Sequence, residues 1–354
     1  SSISPILSTS FIFLSVYIST YKLTKYSFTI ILICTIFISN FGNLFISSNL
    51  IRLMLIQSDD IQTIYNFQTL PILFKLPINK IIDNYIMIII GFFIGITLKY
   101  LTNSLTKASQ WEITIHQFID RVHNIFFTAF NNIQYFISNY LYIFIYLLLV
   151  GVFLNIIHTN ILSIVLIQYY QLIILIFILY FILFLVYIYI IYQRGEYSIY
   201  EVLQNLITPV SIGGPAMSSG LAIPSNIKST IKNTNDPAYS NFIIPILTNT
   251  HLAGDTIILP VINMLILFLF NYPMPDMYLI LLFSFYTAIY KFSSAGVPGG
   301  GIIVIHGLLV YFFNYSSEML SIITSIYILL DIICTIGNIA FNNLLSIILY
   351  KYYK

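Results

Sequence analysis

The sequence predicts an all-α polytopic membrane protein with about seven spans and two re-entrant helical hairpins. Composition carries the first part of this prediction: 59% of the 354 residues are hydrophobic and 7% are charged, against about 25% charged in ordinary globular domains. A net charge of +2 offers no basic surface for nucleic acid. These values exclude a soluble enzyme and a nucleic-acid-binding protein, and make the lipid bilayer the chain's first partner.

Long apolar stretches are the second observation, because a bilayer-crossing helix needs about 20 mostly apolar residues. Predicted spans lie at 5–21, 27–48, 84–103, 125–157, 161–192, 241–271 and 319–350. Two more polar segments, 52–65 and 104–121, are predicted to be loops or interfacial helices. Localisation follows from the spans: an integral protein of a bacterial-type inner or plasma membrane, or of an organelle membrane.

Two interrupted apolar regions are the third observation. Residues 208–220 break the region 199–232, and residues 293–301 break the region 277–314, in both cases with Gly, Pro and Ser. Each half is too short to cross, and backbone exposed to lipid cannot leave its hydrogen bonds unmade. Paired interruptions of this kind are typical of transporter substrate sites, where half-helix ends face substrate and ion. The alternative is a pair of kinked structural helices.

The span at 319–350 carries a polar stripe. Helical spacing places four of its polar side chains on one face: Asp331, Thr335, Asn338 and Asn342. An ionisable group inside a span is costly and is a functional candidate. Hydrogen bonding between helices is the alternative, since Asn and Thr often provide it in membranes.

The span at 241–271 carries a second polar cluster. Gly254 beside Asp255 predicts a local unwinding that frees carbonyls for a cation, with Asp255 and Thr256 supplying oxygen ligands. His251 is interpreted as a hydrogen-bonded packing residue, with proton transfer as the alternative. Lys291, just before the second interruption, is expected to extend toward water.

Three motifs then carry a family resemblance. They are Ser218-Ser219-Gly220 with Pro224, the run Ser294-Ala-Gly296-Val297-Pro298-Gly299, and Asp331 followed by Thr335 and Asn338. Over about 84–354 the chain resembles the dicarboxylate/amino acid:cation symporter family, the relatives of glutamate transporters. Residues 1–83 match less of the family pattern, which indicates a reduced or N-terminally truncated member.

The resemblance implies a site, an assembly and a division of the chain. Asp331 would hold the substrate's amino group, Asn338 its α-carboxylate and Thr256 its side chain. The full predicted substrate-binding set is Ser218, Ser219, Thr256, Gly296, Val297, Pro298, Asp331, Cys334, Thr335 and Asn338. The predicted Na+ ligands are Gly254, Asp255, Asn338, Asn342 and Ser294. Residues 1–158 would form a scaffold and 161–354 a transport domain, within a homotrimer.

Departures from the family pattern refine the expected substrate and ion. Acidic-substrate members carry Arg where this chain has Cys334, and a cysteine cannot make the bidentate contact to a carboxylate that Arg makes. A sodium-coordinating Asp is replaced by Asn342. We therefore expect uptake of a small neutral amino acid, with Na+ coupling weakened or replaced by H+. The alternatives are an acidic amino acid or dicarboxylate symporter, an organelle-encoded respiratory-chain subunit, and a remnant that no longer transports.

Overall fold

The computed structural model describes residues 26–57, 150, 154, 170–292 and 299–354. Within these ranges every regular element is helical and no strand occurs, which confirms the all-α prediction. The chain divides into two compact units, Ser1–Ile31 with Phe74–Leu147, and Leu32–Leu73 with Leu148–Lys354. Nearly all of the described residues belong to the second unit, and the packing below is within it.

The helices of the described ranges are α1 Tyr26–Gln57, α2 Tyr170–Tyr192, α3 Ile199–Gly213, α4 Ile223–Thr234, α5 Pro237–Thr250, α6 Ala253–Leu269, α7 Met277–Lys291, α8 Gly300–Ile303, α9 His306–Phe313 and α10 Ser317–Tyr353. Four stretches are long and apolar enough to cross a membrane: Phe28–Ile56, Tyr170–Tyr192, Pro237–Leu269 and Ser317–Tyr353. They correspond to four of the predicted spans. The other three, at 5–21, 84–103 and 125–157, lie outside the described residues apart from Val150 and Leu154.

Helix α2 shows why the fold needs a bilayer. Its 23 residues contain no charge, and one side buries Leu172, Ile176 and Ile191 against the rest of the unit. The other side leaves large apolar side chains uncovered, among them Phe177 and Phe181. Continuous apolar exposure of this kind is unfavourable in water and favourable against lipid tails.

The first interrupted region forms a helical hairpin. Helices α3 and α4 contact each other and both contact α10, and their 15 and 12 residues correspond to about 22 and 18 Å at a rise of about 1.5 Å per residue. Neither length crosses an apolar core of about 30 Å. The predicted start of the break at 208 is wrong, because α3 accommodates Pro209 in its interior and ends only at Gly213.

The predicted span at 241–271 is two helices. Helix α5 ends at Thr250 and α6 begins at Ala253, so the chain is unwound at His251 and Leu252. The prediction of unwinding at Gly254 and Asp255 is therefore wrong by two to three positions. Asp255 instead lies in the first turn of α6, where the helix dipole favours a negative charge.

The second interrupted region enters through α7 and leaves through the short helices α8 and α9, with α7 and α9 in contact. Residues 293–298 of the predicted break lie outside the described residues. Helix α10 follows as one uninterrupted helix of 37 residues. It contacts α2, α3, α4, α5, α6 and α8, so it is the common partner of most of the described unit.

Asn343 of α10 forms hydrogen bonds to the first hairpin, and we expect the loss of its side chain to destabilise the protein. Its Nδ2 donates to Asn226 Oδ1 at 2.7 Å, Ser229 Oγ at 3.0 Å and Thr230 Oγ1 at 3.2 Å, all buried. Asn343→Ala should cost about 1–3 kcal/mol, because it leaves buried polar groups without a partner. The melting temperature is measured in detergent, with circular dichroism used to monitor unfolding.

Asn241→Ala is the matched control. Asn241 is exposed, and within the described ranges its amide donates only to Pro237 O of its own helix, at 2.8 Å. Equal melting temperatures for the two variants would contradict a specific role for Asn343.

Candidate functional site

Helix α10 presents the predicted stripe to the interior. All five of its predicted site residues are buried: Asp331, Cys334, Thr335, Asn338 and Asn342. Ile332 and Ile336, on the opposite side of the helix, are exposed. The 3.6-residue periodicity therefore placed the polar side chains on one face correctly, and that face is turned away from lipid.

Asp331 contacts the second hairpin. Gly299 donates its backbone N–H to Asp331 Oδ2 at 2.8 Å, and Thr335 Oγ1 lies 3.5 Å from Asp331 Oδ1. Gly299 has a φ of 69° and precedes α8, and this left-handed conformation costs a glycine far less than any other residue. The amide of the second hairpin is thus held against the one carboxylate of α10's buried face.

Asn338 joins α10 to the start of α6. Its Oδ1 accepts from the backbone N–H of Gly254 at 2.8 Å and of Asp255 at 3.4 Å. Its Nδ2 donates to Asp255 Oδ1 at 3.0 Å. The first amides of a helix have no partner inside that helix, and here a side chain from another helix supplies one.

Lys291 pairs with Asp255. Its Nζ lies 3.0 Å from Asp255 Oδ2 and donates to Gly301 O at 3.0 Å, and the two side chains are 0% and 3% exposed. The expectation that Lys291 extends to water is therefore wrong. The reason is geometric: the end of α7 lies within reach of the first turn of α6, and a buried ammonium requires an anion.

Two glycines allow these elements to approach. A methyl group on Gly301 would overlap the Asp255 carboxylate and the Tyr327 hydroxyl, and one on Gly254 would overlap Cys334 O and crowd Tyr180. Any larger residue at either position would push the helix ends apart. The sequence shows both glycines without showing what they face.

His251 lies in the unwound segment between α5 and α6 and is fully buried. Its Nδ1 is 2.7 Å from Asn342 Oδ1, and its Nε2 is 2.9 Å from Ser39 Oγ and 3.4 Å from Tyr187 OH. His251 is therefore buried and hydrogen-bonded through both ring nitrogens, as expected of a packing residue, and its role stays a prediction. Asn342 Nδ2 is buried without a partner among the described residues.

Helix α1 supplies polar contacts that sequence reasoning missed. Asn40 Nδ2 donates to Thr250 O at 2.8 Å, and Asn40 Oδ1 accepts from Leu252 N at 3.3 Å, so one side chain serves both ends of the break. Asn43 Nδ2 donates to Thr256 Oγ1 at 3.4 Å. The available signal was the spacing of Asn40, Asn43 and Ser47 in an apolar span, which places them on one helix face.

The first hairpin brings its turn beside α10. Ser218 and Ser219 are buried in the turn between α3 and α4, and Met217 before them has a φ of 49°. Gly213 and Gly214 pack directly against Ile339 and Ile336 of α10.

The remaining predicted residues of the second tip, Ser294, Gly296, Val297 and Pro298, lie outside the described residues. The roles assigned to Thr256, Cys334, Asn338 and the serines stay predictions.

A family model settles the class of protein. The model described as "Sodium:dicarboxylate symporter family" matches residues 13–352. The chain belongs to this family. The match also includes residues 13–83, which the sequence motifs alone left unassigned. No individual curated protein matches the chain.

Membership makes this symporter a membrane transporter, and it supports Na+ as a coupling ion for the family as a whole. It places the polar face of α10, the broken α5–α6 segment and the hairpins in a protein that carries solutes. The family description names dicarboxylates, but membership does not determine the particular substrate of this chain, which depends on the chemistry of its own site.

Gly301→Ala should destabilise this symporter, because the added methyl group would displace Asp255 or Tyr327 from their buried positions. Overpacking of this kind costs about 1–3 kcal/mol. The melting temperature in detergent is again the measurement. Gly307→Ala is the matched control, since a methyl group there meets no atom of the described residues within 4 Å. A Gly301→Ala protein as stable as Gly307→Ala would contradict the close approach.

Proposed function

We propose that this symporter takes up a small neutral amino acid together with Na+ or H+. The observation that carries the proposal is Asp331, a carboxylate that is 5% exposed and has no ion-pair partner among the described residues. Membership in a symporter family supports transport, and the position of Asp331 between α10 and the second hairpin supports a role in holding substrate.

An unpaired buried carboxylate favours a cationic ligand. Among the described residues each oxygen of Asp331 has one contact, the Gly299 amide on Oδ2 and the more distant Thr335 hydroxyl on Oδ1. A carboxylate has about four lone-pair positions, so acceptor capacity remains. The ammonium of an amino acid supplies both the missing charge and the missing donors, and charge-assisted hydrogen bonds are the strong ones.

The neighbourhood of Cys334 favours a neutral side chain on the substrate. Cys334 is fully buried one turn from Asp331 and offers no positive charge. Lys291 is the only buried lysine or arginine of the described ranges, and it is already paired with Asp255. A second carboxylate on the substrate would be buried without a cationic partner, which costs several kcal/mol.

A dicarboxylate or acidic amino acid is the second candidate, and the family description favours it because it names dicarboxylates. For such a substrate Lys291 would have to exchange Asp255 for the substrate's carboxylate. Family membership argues against the third possibility, a respiratory-chain subunit.

The role of Asp331 is tested by Asp331→Asn in liposomes with an imposed ion gradient and labelled alanine or serine. We expect uptake to fall by more than roughly 100-fold, since removing one partner of a buried charge pair costs about 3–5 kcal/mol. Asp276→Asn is the matched control: Asp276 is exposed at the start of α7, and Asn caps helices as well as Asp. Near-normal uptake by Asp331→Asn would exclude Asp331 as the anchor of the substrate amine.

Selectivity is tested by competition of all common amino acids against uptake. In the wild type, small neutral amino acids should compete and aspartate and glutamate should not. Cys334→Arg should improve competition by the acidic pair roughly 10- to 100-fold, because a charge-assisted hydrogen bond contributes about 1.5–3 kcal/mol. Cys334→Ser, which adds no charge, should keep the wild-type pattern. Strong aspartate uptake by the wild type would favour the second candidate instead.

A further inference from the structure

The pair of Lys291 and Asp255 is the one ion pair of the described residues, and the amino-acid binding role proposed for Asp331 does not use it. Both side chains are buried, at 0% and 3% exposure. A pair this deep is weak evidence for stability, because desolvating two ions offsets most of their attraction. The pair connects the first turn of α6, where Asp255 lies, with the end of α7, where Lys291 lies, and with Gly301 on the other arm of the second hairpin. This position calls for another explanation.

The oxygens around the Lys291 ammonium are those that a metal cation would choose. Nζ has a carboxylate oxygen, Asp255 Oδ2, and a backbone carbonyl, Gly301 O, each at 3.0 Å. Hard cations bind carboxylate and carbonyl oxygens, and unwound transporter helices present such groups to coupling ions. A covalently attached ammonium therefore lies where these two elements would otherwise offer oxygens to an ion.

Asp255 has no remaining oxygen without a strong donor. Oδ1 accepts from Asn338 Nδ2 at 3.0 Å, and Oδ2 accepts from Lys291 Nζ at 3.0 Å. Asn338 is fixed in turn, because its own oxygen accepts from the backbone N–H groups of Gly254 and Asp255. An incoming sodium ion at Asp255 would be repelled by the ammonium 3.0 Å from Oδ2, or would have to displace it and leave it buried without an anion.

We propose that Lys291 is a built-in cation that occupies the cation position at Asp255, so that this carboxylate binds no sodium ion. The sequence predicts Asp255 as a Na+ ligand, and the ammonium of Lys291 takes that place instead. The inference rests on the proposed function in naming the excluded ion as a coupling ion and in taking an amino acid as the substrate for the charge balance below.

Among Lys291, Asp255 and Asp331, one negative charge is then left for a coupling cation to balance. Lys291 cancels the charge of Asp255 and leaves Asp331 as the one uncompensated charge of these three residues. A zwitterionic amino acid adds no net charge, so one cation restores neutrality when it binds. The ammonium of Lys291, at the end of α7, also binds both Asp255 of α6 and the carbonyl of Gly301. These three segments are therefore linked without a bound metal ion.

The test is sodium binding to the purified full-length protein in lipid nanodiscs, without substrate. The variants are the wild type, Lys291→Met, the double variant Lys291→Met/Asp255→Asn, and Lys228→Met. Methionine keeps an unbranched side chain and removes the charge. Lys228 is exposed on α4, so Lys228→Met is the matched loss of one positive charge. Equilibrium binding of radioactive sodium is measured against choline at equal ionic strength.

We expect Lys291→Met to bind about one more sodium ion per chain than the wild type, because a buried carboxylate has lost its cation. Its melting temperature should rise by roughly 2–4 °C more in sodium chloride than in choline chloride, relative to the wild type. The double variant should lose both gains, and Lys228→Met should match the wild type.

If Lys291→Met aggregates in choline and folds in sodium, that rescue is itself the expected result. If it aggregates in both salts, Lys291→Gln is measured in its place, since glutamine keeps a donor for Asp255 without the charge. Sodium binding by that variant equal to the wild type would overturn the proposal, as would the same result for a folded Lys291→Met. Because no substrate is present, a failed transport assay would overturn the proposed function and leave this result unaffected.

Discussion

The free-energy cost of burying a carboxylate explains the main polar contacts of the described unit. Asp255 and Asp331 are both buried, at 2% and 5% exposure, and an unpaired charge is strongly unfavourable in such a position. Their surroundings differ in one respect. Asp255 has a lysine on one oxygen and an amide on the other, whereas Asp331 has an amide and a hydroxyl and no ion-pair partner among the described residues. One carboxylate is therefore satisfied by the protein itself, and the other is the one for which we propose a cationic ligand.

The same rule applies to the backbone. A helix that breaks inside a membrane exposes amides and carbonyls that lipid cannot satisfy. Here side chains from two other helices satisfy them: Asn338 of α10 accepts from Gly254 and Asp255, and Asn40 of α1 binds Thr250 O and Leu252 N. The break at His251 and Leu252 is thus stable because asparagines on neighbouring helices complete its hydrogen bonds.

Helix α10 organises these contacts because three of its asparagines form hydrogen bonds to three different segments of the chain. Asn338 binds the start of α6, Asn342 binds His251 in the break, and Asn343 binds α4 of the first hairpin. Asp331, on the same helix, accepts from Gly299 of the second hairpin. A single uninterrupted helix thereby connects both hairpins and the broken segment, which is what a site assembled from separate chain segments requires.

The sequence by itself determined the class, the polar face and the family. Composition excluded a soluble fold, because the chain has too few charged side chains to form a surface that faces water. Helical spacing placed Asp331 and Asn338 on one face, and that face is buried. Only the tertiary structure decided the partners. Whether Lys291 reaches water or a carboxylate depends on where the end of α7 lies. Its partner Asp255 is 36 residues away in sequence and on another helix. Likewise the chain unwinds at His251 rather than at Gly254, because distant asparagines satisfy the break there, and local sequence carries no information about a partner on another helix.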